Sequence, residues 1–206
     1  MTIIKDIYRY FFGKDFGPVW QQFAKENGGE YAPVIDDRVL IPYKNFIITF
    51  DAFTNYTISG GSAYKTEYTR GLVEFNASDN FKLLITQQGF LENVGKLFGS
   101  QDIQIGDAQF DKRFMIKSND ETKTLLMLSN NSITKSLEDL KSIRLDITNG
   151  EGLWNEKPEE GNYMLYYVLD GKITHINQLN ILYQLFTNTI DTLIKICSIK
   201  QTKASS

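Results

Sequence analysis

The chain contains one histidine, His175, and one cysteine, Cys197, two residue types that often serve in nucleophilic and acid–base catalysis. A cysteine–histidine pair acts only when its side chains lie within hydrogen-bonding distance. The two residues are 22 positions apart in a segment with helical periodicity, which corresponds to about 33 Å along a continuous helix. The spacing therefore predicts that they do not form a catalytic pair within one chain.

Few residues of this chain suit metal binding or catalysis by a serine nucleophile. Zinc sites use several cysteine or histidine ligands, and this chain has one of each. A serine triad would need His175, but the sequence has no Gly-x-Ser-x-Gly elbow, and His175 stands where a capping or surface role is expected. Neighbouring acidic residues fit turns and first helical turns. We therefore predict no catalytic residue and no metal site.

Two glycine-containing segments match nucleotide-binding loops only in part. Five residues separate Gly89 from Gly95, where a phosphate-binding loop has four, and Leu97 replaces the hydroxyl residue that would bind magnesium. Gly150 and Gly152 lack the third glycine of a dinucleotide fingerprint. The sequence predicts no cofactor.

The charge distribution argues against nucleic acid as a partner. The 206 residues include 22 Lys and Arg against 25 Asp and Glu, for a net charge of −3, so the chain has no overall positive field. One cluster of basic and aromatic residues lies in a predicted hairpin, at Tyr64, Lys65, Tyr68 and Arg70. Because Glu67 lies among them, this cluster is interpreted as a solvated strand face.

Composition and periodicity predict a single folded domain. Apolar residues make up 42% of the chain, which includes 14 Phe, 11 Tyr and 2 Trp. Short β-branched and aromatic runs separated by turn residues predict an antiparallel sheet. The predicted strands lie near 30–35, 38–42, 45–53, 64–75, 80–85, 103–116 with an interruption at Gly106-Asp107, 142–148, 151–155 and 162–170.

Helical spacing of apolar residues appears in the remaining segments, at 2–12, 18–26, 88–98, 119–128, 132–141 and 174–199. The last of these predicts one long amphipathic helix. Together the elements predict the α+β class, with a mostly antiparallel sheet and helices on one side. We expect one domain over residues 1–200 and a disordered tail over 201–206.

The cellular location is inferred from the same residues. A lone Cys197 cannot form an internal disulfide, and no apolar stretch typical of a secretory signal opens the sequence. No window reaches 18 consecutive apolar residues. A cytoplasmic location is therefore expected.

An apolar stripe near the start of the chain is a candidate membrane or partner surface. Its residues are Ile3, Ile4, Ile7, Phe11 and Phe12. Lysine and arginine residues flank the stripe, a composition that suits an interfacial helix at an anionic membrane. Docking of the same helix on the sheet is the alternative interpretation.

The segment from Ile103 to Ser118 contains Ile105-Gly106-Asp107, followed by Phe110-Asp111 and Phe114. It resembles a segment of uncharacterised bacterial families of unknown function, in which an Ile-Gly-Asp turn leads to Phe-Asp-x-x-Phe and a strand. The likeness extends over about residues 100–195. It implies a bacterial origin and a globular shape, and it implies no catalytic residue.

These observations favour a non-enzymatic module that binds a protein partner, or a second copy of itself, or lies at the periphery of a membrane. The alternative is an enzyme or small-ligand binder that uses carboxylates and tyrosines in a pocket of the sheet. The candidate ligand-binding residues for that alternative are Asp107, Asp111, Arg113 and Tyr64. An apolar pocket between the terminal helix and the sheet is a related hypothesis.

Overall fold

The computed structural model describes residues 17–33, 36–87, 102–140, 144–150, 156–196 and 198–199. The helices in these ranges are α1 (Pro18–Glu26), α2 (Ala108–Arg113), α3 (Glu121–Leu128), α4 (Asn131–Asp139) and α5 (Ile176–Lys195). The strands are β1 (Glu30–Tyr31), β2 (Arg38–Tyr43), β3 (Phe46–Ser59), β4 (Ser62–Phe75), β5 (Leu83–Gln87), β6 (Phe114–Ser118), β7 (Arg144–Thr148) and β8 (Tyr163–Asp170). None of the described helices is long and apolar enough to span a bilayer.

The strands form one 8-stranded sheet in the order β1-β2-β3-β4-β8-β7-β5-β6. Each neighbouring pair is antiparallel. Buried side chains of all five described helices join the inward residues of the sheet in one principal core, so these helices cover the same face. The structure confirms the predicted α+β class, its antiparallel sheet and its long C-terminal helix.

Helix α5 packs across the middle of the sheet through its apolar stripe. The stripe consists of Leu179, Leu182, Leu185, Phe186, Ile190 and Leu193. The ring of Phe186 lies edge-on to that of Phe50 in β3, with centroids 5.2 Å apart. Phe186 comes this close because its neighbour in β4 is Gly71, which has no side chain. Side chains are closely packed at this contact. The apolar pocket considered from the sequence stays a prediction.

The segment 103–116, predicted as a strand interrupted at Gly106-Asp107, contains a helix directly after that interruption. Helix α2 follows Asp107, whose carboxylate accepts hydrogen bonds from the backbone N–H groups of Gln109 at 2.9 Å and Phe110 at 3.1 Å. A carboxylate in this position satisfies amides that have no partner within the helix. Strand β6 begins only at Phe114, so capping by Asp107 outweighs the local strand pattern.

Several predicted segments lie outside the described residues and stay predictions. They are the stripe of Ile3, Ile4, Ile7, Phe11 and Phe12, the helix at 88–98, the strand at 151–155, Cys197 and the tail at 201–206.

The Asp79 carboxylate, in the connection between β4 and β5, links that connection to α3 and to Ser198, which follows α5. It accepts hydrogen bonds from Phe81 N–H at 2.9 Å and Ser198 Oγ at 3.1 Å, and it also pairs with Lys123. Burial alone raises the pKa of Asp79, but the hydrogen bonds and the charge of Lys123 outweigh it and leave the pKa below its usual value. The ionised form is therefore the one that stabilises the folded chain.

The variant Asp79→Asn is expected to lose about 1 kcal/mol of unfolding free energy at neutral pH, because an amide lacks the charge that Lys123 binds. A lowered folded-state pKa contributes stability above the unfolded-state pKa, about 3.9, and this contribution disappears as pH falls through the lower folded value. Urea denaturation of both proteins from pH 7 to pH 3 tests this. The two stability curves should converge toward the acid end, and a difference that does not change with pH would contradict it.

Candidate functional site

Asp107 and Asp111, which the sequence suggested as ligand-binding residues, both hold the turn before α2. Asp107 caps that helix through its side chain. The carboxylate of Asp111 accepts hydrogen bonds from the backbone N–H groups of Ile105 at 2.9 Å and Gly106 at 3.0 Å. Gly106 has a φ of +86°, which favours glycine. Backbone amides therefore engage both carboxylates.

Arg113, the third suggested residue, connects α2 to the end of α4. Its guanidinium donates hydrogen bonds to the backbone carbonyls of Glu138 at 2.5 Å and Leu140 at 2.8 Å. It also lies 4.9 Å from the centre of the Phe114 ring. These contacts give Arg113 a structural task at the end of the sheet where β6 lies.

Tyr64, the fourth suggested residue, lies in β4 and is separated from the other three. Strands β8, β7 and β5 lie between β4 and β6 in the sheet. At roughly 4.8 Å per strand, this places β4 about 19 Å from β6. The structure thus groups Asp107, Asp111 and Arg113 around α2 and places Tyr64 elsewhere. A ligand-binding role for any of the four stays a prediction.

A row of charged side chains crosses the sheet on the face opposite the helices. Arg38, Asp51 and Arg70 are cross-strand neighbours in β2, β3 and β4. Arg70 contacts both oxygens of Asp51, with Nε to Oδ1 at 2.7 Å and Nη2 to Oδ2 at 2.8 Å. Arg38 reaches Asp51 Oδ2 at 3.2 Å. The forked geometry is the strong form of this ion pair.

The Arg70 guanidinium has further partners at the root of the β3–β4 hairpin, by which we mean the part around Asp51 and Arg70. Arg70 pairs with Glu156, and Glu156 accepts a hydrogen bond from the hydroxyl of Tyr166 at 3.2 Å. Burial raises the pKa of Tyr166, and the adjacent Glu156 charge raises it further, so the hydroxyl stays protonated and donates. Arg70 also lies over the ring of Phe53 at 4.5 Å. The network holds β3, β4 and β8 together where the hairpin leaves the sheet.

The sequence predicted that Tyr64, Lys65, Tyr68 and Arg70 lie on a solvated strand face. This prediction is wrong for Arg70. Its side chain is only 10% exposed and that of Asp51 only 5%. Cross-strand pairing, which the local pattern of β4 does not encode, accounts for this burial. The sequence feature that could have predicted this burial is Asp51. It is a carboxylate that interrupts the apolar run of β3 and needs a buried cation.

A shallow pocket of about 300 Å³ opens beside this network. Its lining residues are Asp36, Arg38, Asp51, Ala52, Phe53, Thr54 and Arg70. Asp36 accepts hydrogen bonds from the backbone N–H of Thr54 at 3.0 Å and from its hydroxyl at 3.3 Å. The polar groups of the pocket are therefore engaged with the protein itself, in contacts that fasten the hairpin.

The outer part of the β3–β4 hairpin extends beyond its neighbours in the sheet. Pairing of β3 with β2 ends at Asp51, and pairing of β4 with β8 ends at Tyr68. Residues 52–67, which we call the arm, continue as a two-stranded ribbon closed by Gly60 and Gly61. Both glycines have positive φ, as a two-residue hairpin turn requires. The sequence predicted the two strands but ended them short of this tip.

The arm carries large apolar side chains in exposed positions. The exposed fractions are 65% for Tyr56, 80% for Ile58 and 58% for Tyr64. Tyr56 and Ile58 lie on one face of the ribbon, and Tyr64 lies on the other, because alternate residues of a strand point to opposite sides. Of the four residues suggested from the sequence as ligand-binding residues, Tyr64 belongs to this surface, and Asp107, Asp111 and Arg113 do not.

Comparison with known proteins yields one structural likeness. The fold is similar to that in the crystal structure of the mycobacterial trehalose monomycolate transport factor A, TtfA. The TM-score is 0.50 at 10% sequence identity, over 90% of this chain and 98% of that chain. At this identity the likeness concerns the fold alone. No family model and no curated protein matches the sequence.

Proposed function

We propose that this chain is a non-enzymatic protein-interaction module that binds its protein partner through the arm. The observation that carries the proposal is the exposure of Tyr56, Ile58 and Tyr64 on a ribbon that projects from the sheet. Tyrosine is enriched among the residues that dominate binding energy at protein interfaces. Each tyrosine that a partner covers can bury an area on the order of 150–250 Å².

The root of the arm supports the same role. A binding surface acts best when it stands on a rigid support. The ion pairs of Arg70 with Asp51 and Glu156, and the contacts of Asp36 with Thr54, supply that support. The apolar tip of the hairpin would thus contact the partner, and the polar root would hold the tip in position.

Contacts elsewhere in the molecule also favour binding over catalysis. Phe186 fills the contact between α5 and the central strands, and the carboxylates of Asp107 and Asp111 engage backbone amides. The mycobacterial protein of similar fold is described as a transport factor for trehalose monomycolate. An accessory binding role is compatible with that description. The peripheral membrane contact suggested for the amino-terminal stripe stays a separate prediction.

The proposal is tested by comparing three baits in the organism that makes this protein. They are the wild type, an arm variant with Tyr56→Ser, Ile58→Ser and Tyr64→Ser, and a control with Leu125→Ser and Leu126→Ser. The control removes apolar side chains that are 37% and 53% exposed on α3, away from the arm. Circular dichroism first establishes that all three baits are folded.

Quantitative mass spectrometry then compares the proteins that each bait retains, with a differently tagged second copy of the chain included in each sample. We expect at least one protein to be retained by the wild type and the control and lost by the arm variant. Binding of that protein is then repeated with purified components by calorimetry. Equal retention of every protein by all three baits would contradict the proposal.

A further inference from the structure

We infer that the protein bound by the arm is a second copy of this chain, added antiparallel to the outer edge of β3. This inference rests on the proposed function, because it names the occupant of the surface proposed above. The contacts between copies would come from residues 55–59, which lie beyond the contact of Thr54 with Asp36 and form the free edge of the ribbon.

The direction of the backbone amides defines this edge. The N–H of Ala52 donates outward to the carbonyl of Asp37 at 2.8 Å, and that of Thr54 donates outward to Asp36 at 3.0 Å. Since amide direction alternates along a strand, the N–H and C=O groups of Tyr56 and Ile58 also point outward. No described residue donates to or accepts from these backbone groups across that edge. As far as the described ranges go, these groups are open to another strand.

The two edges of the arm differ in how well they are protected. Proteins block free edges with charged residues, especially lysine, and with proline. The edge of β4 carries the charged pair of Lys65 and Glu67, whose side chains contact each other at 2.5 Å. The edge of β3 at 54–59 reads Thr-Asn-Tyr-Thr-Ile-Ser, without charge, proline or glycine. A strand from another molecule can therefore pair with the edge of β3, whereas the charged side chains disfavour pairing at the edge of β4.

The same segment is complementary to itself in one antiparallel register. In this register, Thr57 of each copy lies on the two-fold axis. Tyr56 of each copy then lies opposite Ile58 of the other copy, which gives two such pairs. Each of these pairs exchanges both N–H···O bonds, so the register forms about four backbone hydrogen bonds. An aromatic side chain facing a β-branched one is a favourable cross-strand pair. Because the segment is uncharged, no like charges face each other.

The length of the arm gives a second copy room to approach. From Asp51 to Ser59 the ribbon extends about 26 Å beyond the last residue that pairs with β2. Asp36 closes the edge at Thr54, which limits addition to the residues farther out. The two sheets can then join arm to arm while their main bodies stay apart.

Cysteine cross-linking tests the register. In a chain with Cys197→Ser, the variant Thr57→Cys brings its two sulfur atoms together across the axis, with Cα atoms about 4.5 Å apart, within the range for a disulfide. The matched control is Asn55→Cys, whose partner cysteine lies about 13 Å along the paired strand, too far for a disulfide. We expect disulfide-linked dimer to form at least about tenfold faster for Thr57→Cys than for Asn55→Cys under mild oxidation. Equal rates would overturn the register.

Proline substitution tests the edge. Ile58→Pro removes an outward N–H and leaves the hydrogen bonds between β3 and β4 intact, a position where an edge strand tolerates proline. Lys65→Pro makes the same change at the edge of β4 and serves as the control. Sedimentation equilibrium should give a dimer dissociation constant raised at least about tenfold by Ile58→Pro and altered less than about twofold by Lys65→Pro. Thermal unfolding establishes that both variants fold.

Two further results would overturn the inference. One is a wild-type chain that stays monomeric up to about 1 mM, a limit that corresponds to about −4 kcal/mol of association free energy. The other is a dimer that Ile58→Pro leaves unchanged. In either case the bait experiment still tests the proposed function separately, because it also detects partners of other kinds bound by the arm.

Discussion

The variant Arg70→Met is expected to lower the free energy of unfolding by about 3–5 kcal/mol. The side chain of Arg70 is 10% exposed, and it neutralises Asp51, which is 5% exposed. Its removal leaves the buried Asp51 with the longer 3.2 Å contact to the exposed Arg38, which water and salt weaken, and it takes the Arg70 cation away from Glu156. An uncompensated buried charge costs far more than the ion pair itself contributes, because water cannot solvate it.

The matched control for Arg70 is Arg38→Met, which removes a cation from the same carboxylate. The side chain of Arg38 is 42% exposed, so water and salt weaken its contact with Asp51. We expect this variant to lose less than about 1 kcal/mol. Urea denaturation at neutral pH measures both values. Equal losses for the two arginines would mean that burial does not determine the strength of this network.

A third variant separates the cost of an unpaired charge from the value of the network. Arg70→Met combined with Asp51→Leu and Glu156→Gln removes all three charges, and the Gln amide oxygen can still accept the hydrogen bond from the buried Tyr166 hydroxyl. Such replacement is often neutral or stabilising in other proteins. We therefore expect the triple variant to recover most of the stability that Arg70→Met loses. A triple variant that is less stable than Arg70→Met would contradict this account.

Gly71→Ala is expected to lower the free energy of unfolding by about 1–3 kcal/mol, through overpacking beneath α5. A Cβ atom at residue 71 would lie 2.7 Å from two ring carbons of Phe186 and 3.0 Å from the ring of Phe50. Replacement of glycine by alanine in a compatible strand conformation would otherwise stabilise a protein by about 0.4–1 kcal/mol. Because Phe186 approaches so closely, we expect Gly71→Ala to destabilise the protein instead.

A double-mutant cycle with Phe186→Leu tests this explanation. The smaller side chain costs stability on its own, since Phe186 is fully buried. It also removes the ring atoms that the alanine methyl group would meet. Gly71→Ala should therefore cost less in the Phe186→Leu chain than in the wild type, by at least about 0.5 kcal/mol of coupling. Additive losses would assign the effect of Gly71→Ala to some other contact.

The amino-acid sequence by itself determined those features of the fold that depend on local periodicity. The apolar spacing from Leu179 to Leu193 predicts α5, because a helix places such residues on one stripe. Runs of β-branched and aromatic residues predict β2, β3, β4 and β8 for a similar reason. These elements suffice for the fold class, since an antiparallel sheet with one apolar face needs helices to cover that face.

Only the tertiary structure decided which distant residues meet. Arg70 is buried because β3 places Asp51 beside it and residue 156 returns to the same point, 86 positions along the chain. Tyr64 stands apart from Asp107 because β8, β7 and β5 lie between β4 and the α2–β6 end of the sheet. The arm exists because β2 and β8 end where β3 and β4 continue. The physical reason is that local spacing specifies the direction of each side chain along its own element, whereas strand order and register depend on contacts between segments far apart in the sequence.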